Sequence, residues 1–195
     1  HKHGYFSYTQ HLLGGEDDYH GCALGNSYLA ECQPRVDHFI SAGPFRVDDL
    51  DSRAHNTYDH NMTELYSDSY FNIVLETMID VDDSSGQFVT EKTFKPIFNN
   101  QFFVAVSSAD HLRHLRDLGY KTFSRCIDES YDSTANNQDR FEAVLDLTKL
   151  LIRSGQDRLH QLYQDLAPEI QHNAQVFQSG MAHRLKDVVE RICST

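Results

Sequence analysis

Five consecutive residues, Phe88-Val89-Thr90-Glu91-Lys92, bring together an aromatic ring, a hydroxyl, a carboxylate and an ammonium group. These are the groups that a nucleotide-diphosphate sugar asks of a protein. A carboxylate such as Glu91 can accept two hydrogen bonds from a ribose diol, and Phe88 offers a wall for the base. Lys92 is a compact point charge suited to phosphate. Thr90 is an N-cap residue type, and Glu91 favours a first helical turn. A helix starting there turns backbone N–H groups and the positive end of its dipole toward an anion. Lys95 follows Lys92 by three residues and shares its helix face, as a second phosphate contact or as a surface lysine. Glu76 closes an apolar run and is either part of the same site or a solvated strand-end acid. The candidate donor-binding set is therefore Glu76, Phe88, Thr90, Glu91, Lys92 and Lys95. The same Thr-Glu-Lys spacing also serves an ordinary capped helix start.

The elements that would position these groups alternate. Tyr70 to Leu75 is aromatic and β-branched, the signature of a buried strand. A polar loop over residues 80–87 follows, then the helix start at Thr90, with Pro96 inside it as a kink or an early end. Phe102 to Val106 is a second strand. Leu112, Leu115 and Leu118 recur at helical spacing, and Gly119 is placed to end that helix. Tyr120 to Phe123 is predicted as a short third strand. From Gln138 on the pattern is helical: Phe141, Val144, Leu145, Thr148 and Leu151 line one face, and Ser154-Gly155 breaks it. Leu159, Leu162 and Leu166 line the next, up to Ala167-Pro168, and a last helix carries Leu185, Val188, Val189 and Ile192. Strand, helix, strand, helix and then helices imply an α/β fold with a Rossmann-like parallel sheet, flanking helices and a helical C-terminus. In such sheets ligands sit at the carboxyl ends of the strands, where Glu76 and the Thr90 helix start converge. The predicted organisation is a connecting region over residues 1–68, a binding core over 69–133 and C-terminal helices over 134–195. Val36 to Ile40 is the apolar piece of the first region, a strand or a helix turn.

Composition narrows the function classes. The 195 residues include 39% hydrophobic ones, with 10 Tyr and 12 Phe, which is enough for a core. A net charge of -12 argues against nucleic acid as a partner. Cys22, Cys32, Cys126 and Cys193 form no zinc spacing; Cys22 and Cys32 could pair in a secreted protein, but the set reads rather as reduced thiols of a cytoplasmic one. No apolar run reaches the length of about 18 residues that a membrane span needs. His1-x-His3 and His111-x-x-His114 are the suggestive histidine spacings, and without a clear third ligand no metal site is expected. Arg113 and Arg116 read as a solvated helix face. The cluster Asp128-Glu129-Ser130-Tyr131-Asp132 reads as a loop and helix-entry cap rather than a metal or acceptor site.

Glu76-Thr77, a loop, then Phe88-Val89-Thr90-Glu91-Lys92 and an apolar strand resemble the donor-site signature of GT-B glycosyltransferases, with the α-1,3-fucosyltransferases nearest in pattern. The segment from Phe88 to Asp132, with Leu118-Gly119-Tyr120-Lys121-Thr122-Phe123, also resembles phage and bacterial proteins labelled glycosyltransferase. The likeness covers residues 69–132. It implies half of a GT-B fold, a ribose contact at Glu91 and a diphosphate contact at Lys92, with no cofactor besides the nucleotide-diphosphate sugar itself. The pattern departs at Leu75 and Thr77, where the family has Phe and Asn, at Phe88 in place of Tyr, and in a longer gap. No catalytic base is identified. The resemblance places it in an N-terminal domain or partner subunit, which fits a chain that starts at His1 as a fragment of a longer enzyme. The expected activity is transfer of a sugar to a glycan or other acceptor. The rival expectation is a non-catalytic glycosyltransferase-like binding module of a virion or assembly.

Overall fold

The computed structural model describes residues 63–76 and 89–193, the side chains of residues 63, 64 and 183–193 excepted. Helix α1 (Thr63–Ser67) lies within the stretch read from sequence as connecting. It leads into β1 (Phe71–Leu75), helix α2 (Glu91–Phe98) and β2 (Phe102–Val106). Strands β1 and β2 pair in parallel, Phe71 opposite Phe102 through Leu75 opposite Val106, and α2 packs on both. The unit is a β–α–β crossover, the connection that parallel pairing requires. All five residues of β2 are buried, as their unbroken apolar sequence implies. In β1, Ile73 and Leu75 remain exposed while Val74 is buried.

Helix α3 (His111–Asp117), a 3₁₀ turn (Ser130–Ser133), α4 (Asn137–Arg153), α5 (Gln156–Asp165) and α6 (Ala167–Cys193) complete the fold. The described residues thus form a mixed α/β structure, a two-stranded parallel sheet with flanking helices and a helical C-terminal part. Phe102 and Phe103 of β2 each meet Phe123 edge-on, and Phe71 stacks on Phe102. Phe177 of α6 packs on Phe94 and Phe98, so the long helix braces α2 from behind.

Pro96 does not end α2. It is buried on the packed face, and the helix runs two residues past it. Asn100 then takes a left-handed φ of 55°, which closes the helix, and the Gln101 N–H donates to the Pro96 carbonyl at 2.9 Å. The Gln101 side chain donates to the carbonyls of Tyr66 and Ser69, both at 2.7 Å, and ties the entrance of β1 to that of β2. At the end of α3, Gly119 has a φ of 92°, the conformation that glycine adopts without steric cost. Gly155, with φ of 81°, makes the break between α4 and α5.

The third strand expected at Tyr120–Phe123 is not formed. The backbone there is satisfied by other partners, the Tyr120 N–H donating to the Leu115 carbonyl at 3.0 Å. The Lys121 N–H donates to Asn173 Oδ1 at 2.7 Å, and Asn173 Nδ2 donates back to the Lys121 carbonyl at 2.8 Å. The Phe123 N–H donates to Glu129 Oε1 at 2.6 Å. With both polar groups of Lys121 spoken for, no ladder can form there. On α4, Val144, Thr148 and Leu151 face the core as expected, whereas Phe141 and Leu145 stay exposed. Arg140 shares the buried face, its guanidinium donating to the carbonyls of Ser107 and Thr134. The Val36–Ile40 segment, the loop at 80–87, Cys22, Cys32, His1 and His3 lie outside the described residues.

Asn173→Ala would leave both backbone groups of Lys121 without their partners. The expected cost is about 1–3 kcal/mol, read as a lowered midpoint in urea unfolding with an unchanged slope.

Candidate functional site

The site is built from the carboxyl end of β1 outward. The Glu76 N–H continues the ladder by donating to the Val106 carbonyl at 2.9 Å. Glu76 is 3% exposed, and its carboxylate accepts three hydrogen bonds. The Thr90 N–H donates at 3.2 Å, the Thr90 hydroxyl at 2.6 Å and the Thr93 hydroxyl at 2.6 Å. Burial pushes the carboxyl up, but the bonds from Thr90 and Thr93 outweigh it and hold Glu76 below the usual range.

Thr90 is the N-cap of α2, as its residue type implies. Its hydroxyl gives its proton to Glu76 Oε2 and accepts the Lys92 N–H at 3.2 Å. Thr93 repeats the arrangement one turn deeper. Its hydroxyl proton goes to Glu76, so the contact at 3.3 Å with His111 Nε2 requires the ring to donate. His111 is the first residue of α3 and 1% exposed. Burial lowers its proton affinity more than Glu76 and Asp132 raise it, so the ring is neutral. With the proton on Nε2, Nδ1 bears a lone pair that has no partner among the described residues.

Helix α3 has its own carboxylate cap. Asp132 accepts the N–H groups of Leu112 at 2.8 Å and Arg113 at 3.0 Å. The acidic cluster is thus loop and cap, as read from sequence, but the helix that Asp132 caps lies upstream of it. Asp128 accepts the Ser130 N–H, and Asn136, not an acid, caps α4. Arg116 reaches Thr122, Glu129 and Asp132, and Arg113 pairs with Asp110.

The sequence-derived set therefore divides in two. Glu76 and Thr90 lie inside, bonded to one another. Glu91 and Lys92 stand at the tip of α2 with side chains 42% and 41% exposed and their charges 3.7 Å apart. Lys95, one turn on, is exposed. Phe88 lies outside the described residues. Thr93 and His111 belong to the buried group and were not in the set. Thr93 was signalled by its spacing of three from Thr90, whereas His111 drew attention only as a metal ligand. Among the described residues no group of three or more His, Cys, Asp or Glu is placed to hold a metal ion. A surface recess lined by Tyr131, Leu147 and Leu150, with Asp128 and Asp146, includes none of the candidate residues, and its acids disfavour a phosphate. No described helix is long and apolar enough to cross a membrane.

No family model matches the chain, and neither a curated protein nor a solved structure does.

Glu76→Gln keeps the shape but replaces an oxygen acceptor by an amide donor facing hydroxyl or amide donors. The expected loss is about 2–3 kcal/mol near neutral pH. Because the folded carboxyl titrates below its ordinary 4.5, its contribution is complete above that value and vanishes as pH falls through the lowered folded one. Chemical unfolding of both proteins across this range is expected to show the gap closing in acid.

Proposed function

We propose that this chain supplies the donor site of a glycosyltransferase, which holds a nucleotide-diphosphate sugar and passes the sugar to a glycan or other acceptor. The β–α–β unit would then be part of a Rossmann-like domain, one half of a GT-B enzyme. The carrying observation is the tip of α2. Buried bonds from Glu76 fix it beside the carboxyl end of a parallel strand, and Glu91 and Lys92 stand half-exposed at that tip. The likeness of Phe88-Val89-Thr90-Glu91-Lys92 to the GT-B donor motif supports the same assignment.

In this reading Lys92 and the helix dipole meet the diphosphate, and Glu91 takes the ribose hydroxyls. As the bond from the sugar to the diphosphate breaks, negative charge grows on the leaving oxygen. A fixed cation and a fixed dipole stabilise that charge without reorganising. Glu76 acts through Thr90 by holding the tip still, and Phe88 stands near enough in sequence to wall the base. The group that activates the acceptor would come from an N-terminal domain or a partner subunit.

Calorimetric titration with UDP, GDP, CDP and ADP tests the proposal. One nucleotide is expected to bind, and Lys92→Ala to weaken it on the order of tenfold, the loss of one charge-assisted contact. The thermal midpoint should not move, because Lys92 lies at the surface. Unchanged affinity in the variant would contradict the assignment. Silence from all four nucleotides would leave the non-catalytic binding module as the better reading.

A further inference from the structure

We propose that His111 is a proton-operated latch that joins the N-terminal tips of α2 and α3, closed while the ring is neutral and released when acid protonates it. The inference goes beyond the donor-site reading and does not depend on it.

The geometry is a buried row of groups. Glu76 Oε1 accepts from the Thr93 hydroxyl at 2.6 Å, and Thr93 accepts from His111 Nε2 at 3.3 Å. The next two amides of α3, Leu112 and Arg113, are held by Asp132. The ring is thus the link between two helix tips, that of α2 held at Thr90 and Thr93 by Glu76 and that of α3 capped by Asp132. The charged and titratable groups acting on it are Glu76 from the end of β1, Asp132 from the 3₁₀ turn and His114 from α3 itself. From α2 its contact is the Thr93 hydroxyl.

A proton from solvent can be taken up only at Nδ1, since Nε2 already carries one. The new N–H would point where no acceptor stands among the described residues, on a ring that is 1% exposed. A buried charge with an unmatched donor is costly. Glu76 and Asp132 attract the proton and His114 opposes it, while burial dominates. Protonation is therefore relieved by moving the ring toward water, which breaks the bond to Thr93 and loosens the first turn of α3. The sign follows from the lowered affinity. The folded state resists a proton that the unfolded chain accepts at 6.5, so closure is strongest above that value and weakens as pH falls through it.

Amide hydrogen exchange on the full chain tests this between about pH 7.5 and about pH 5.5, corrected for the intrinsic pH dependence of exchange. The reporters are the amides of Lys92 at the α2 tip and Leu112 at the α3 tip. In the unaltered protein the opening constant of both is expected to rise by up to about tenfold per pH unit below the histidine range. His111→Gln, which can still donate to Thr93 but does not titrate, should make both flat. Thr93→Val should leave Leu112 pH-dependent and free Lys92 from that dependence, which keeps the test decisive if the glutamine variant does not fold. Opening constants that ignore pH in the unaltered protein would overturn the latch. So would a His111→Gln variant that responds like it, or a Thr93→Val variant in which both amides still move together.

Discussion

The Glu76 carboxylate accepts three hydrogen bonds from Thr90 and Thr93 where water has almost no access. Each would break if α2 slid along the sheet, and a buried carboxylate that loses its donors is far more costly than one that keeps them. This one constraint fixes the height and rotation of α2 relative to β1. The position of Thr90 in turn sets where Glu91 and Lys92 emerge. The aromatic packing of Phe94 and Phe98 on Phe177 holds the other side of the helix, but such packing tolerates small slips that directional bonds do not.

The same device recurs around the sheet. Asp132 does for α3 what Glu76 does for α2, and Asn173 and Gln101 satisfy irregular backbone at Lys121 and at the exit of α1. A two-stranded sheet offers few ladder bonds, so polar side chains with partners far along the chain supply the registration that further strands would give. Function, in the proposed reading, uses the solvent side of this scaffold. In that reading the buried carboxylate positions, and the half-exposed charges of Glu91 and Lys92 bind.

Local signals in the sequence were enough for part of this. Phe102–Val106 is a strand because five consecutive apolar, largely aromatic and β-branched residues can be buried together. The Thr90 cap was legible because a hydroxyl before Glu91 has one favourable local use, and Gly119 because few other residues take its φ. The expected third strand failed for a reason invisible in a short window. Tyr120–Phe123 has strand-type residues, but its hydrogen bonds go to Asn173 on α6 and to Glu129. Arg140 on the buried face of α4 and His111 beside Thr93 were hidden in the same way, since a polar residue in the core is explained only by the partner the fold brings to it. Glu76 was found as a candidate, yet its three donors, and so its inward orientation, depend on the placement of α2.

The most direct measurement of the central claim is a titration of the isotope-labelled protein with a nucleoside diphosphate, followed by NMR at every backbone amide. If the α2 tip grips the diphosphate, the largest shifts are expected at Glu91 and Lys92, fading along α2 and absent from the recess between the 3₁₀ turn and α4. Shifts centred on that recess, or none at the α2 tip at saturating nucleotide, would contradict the account.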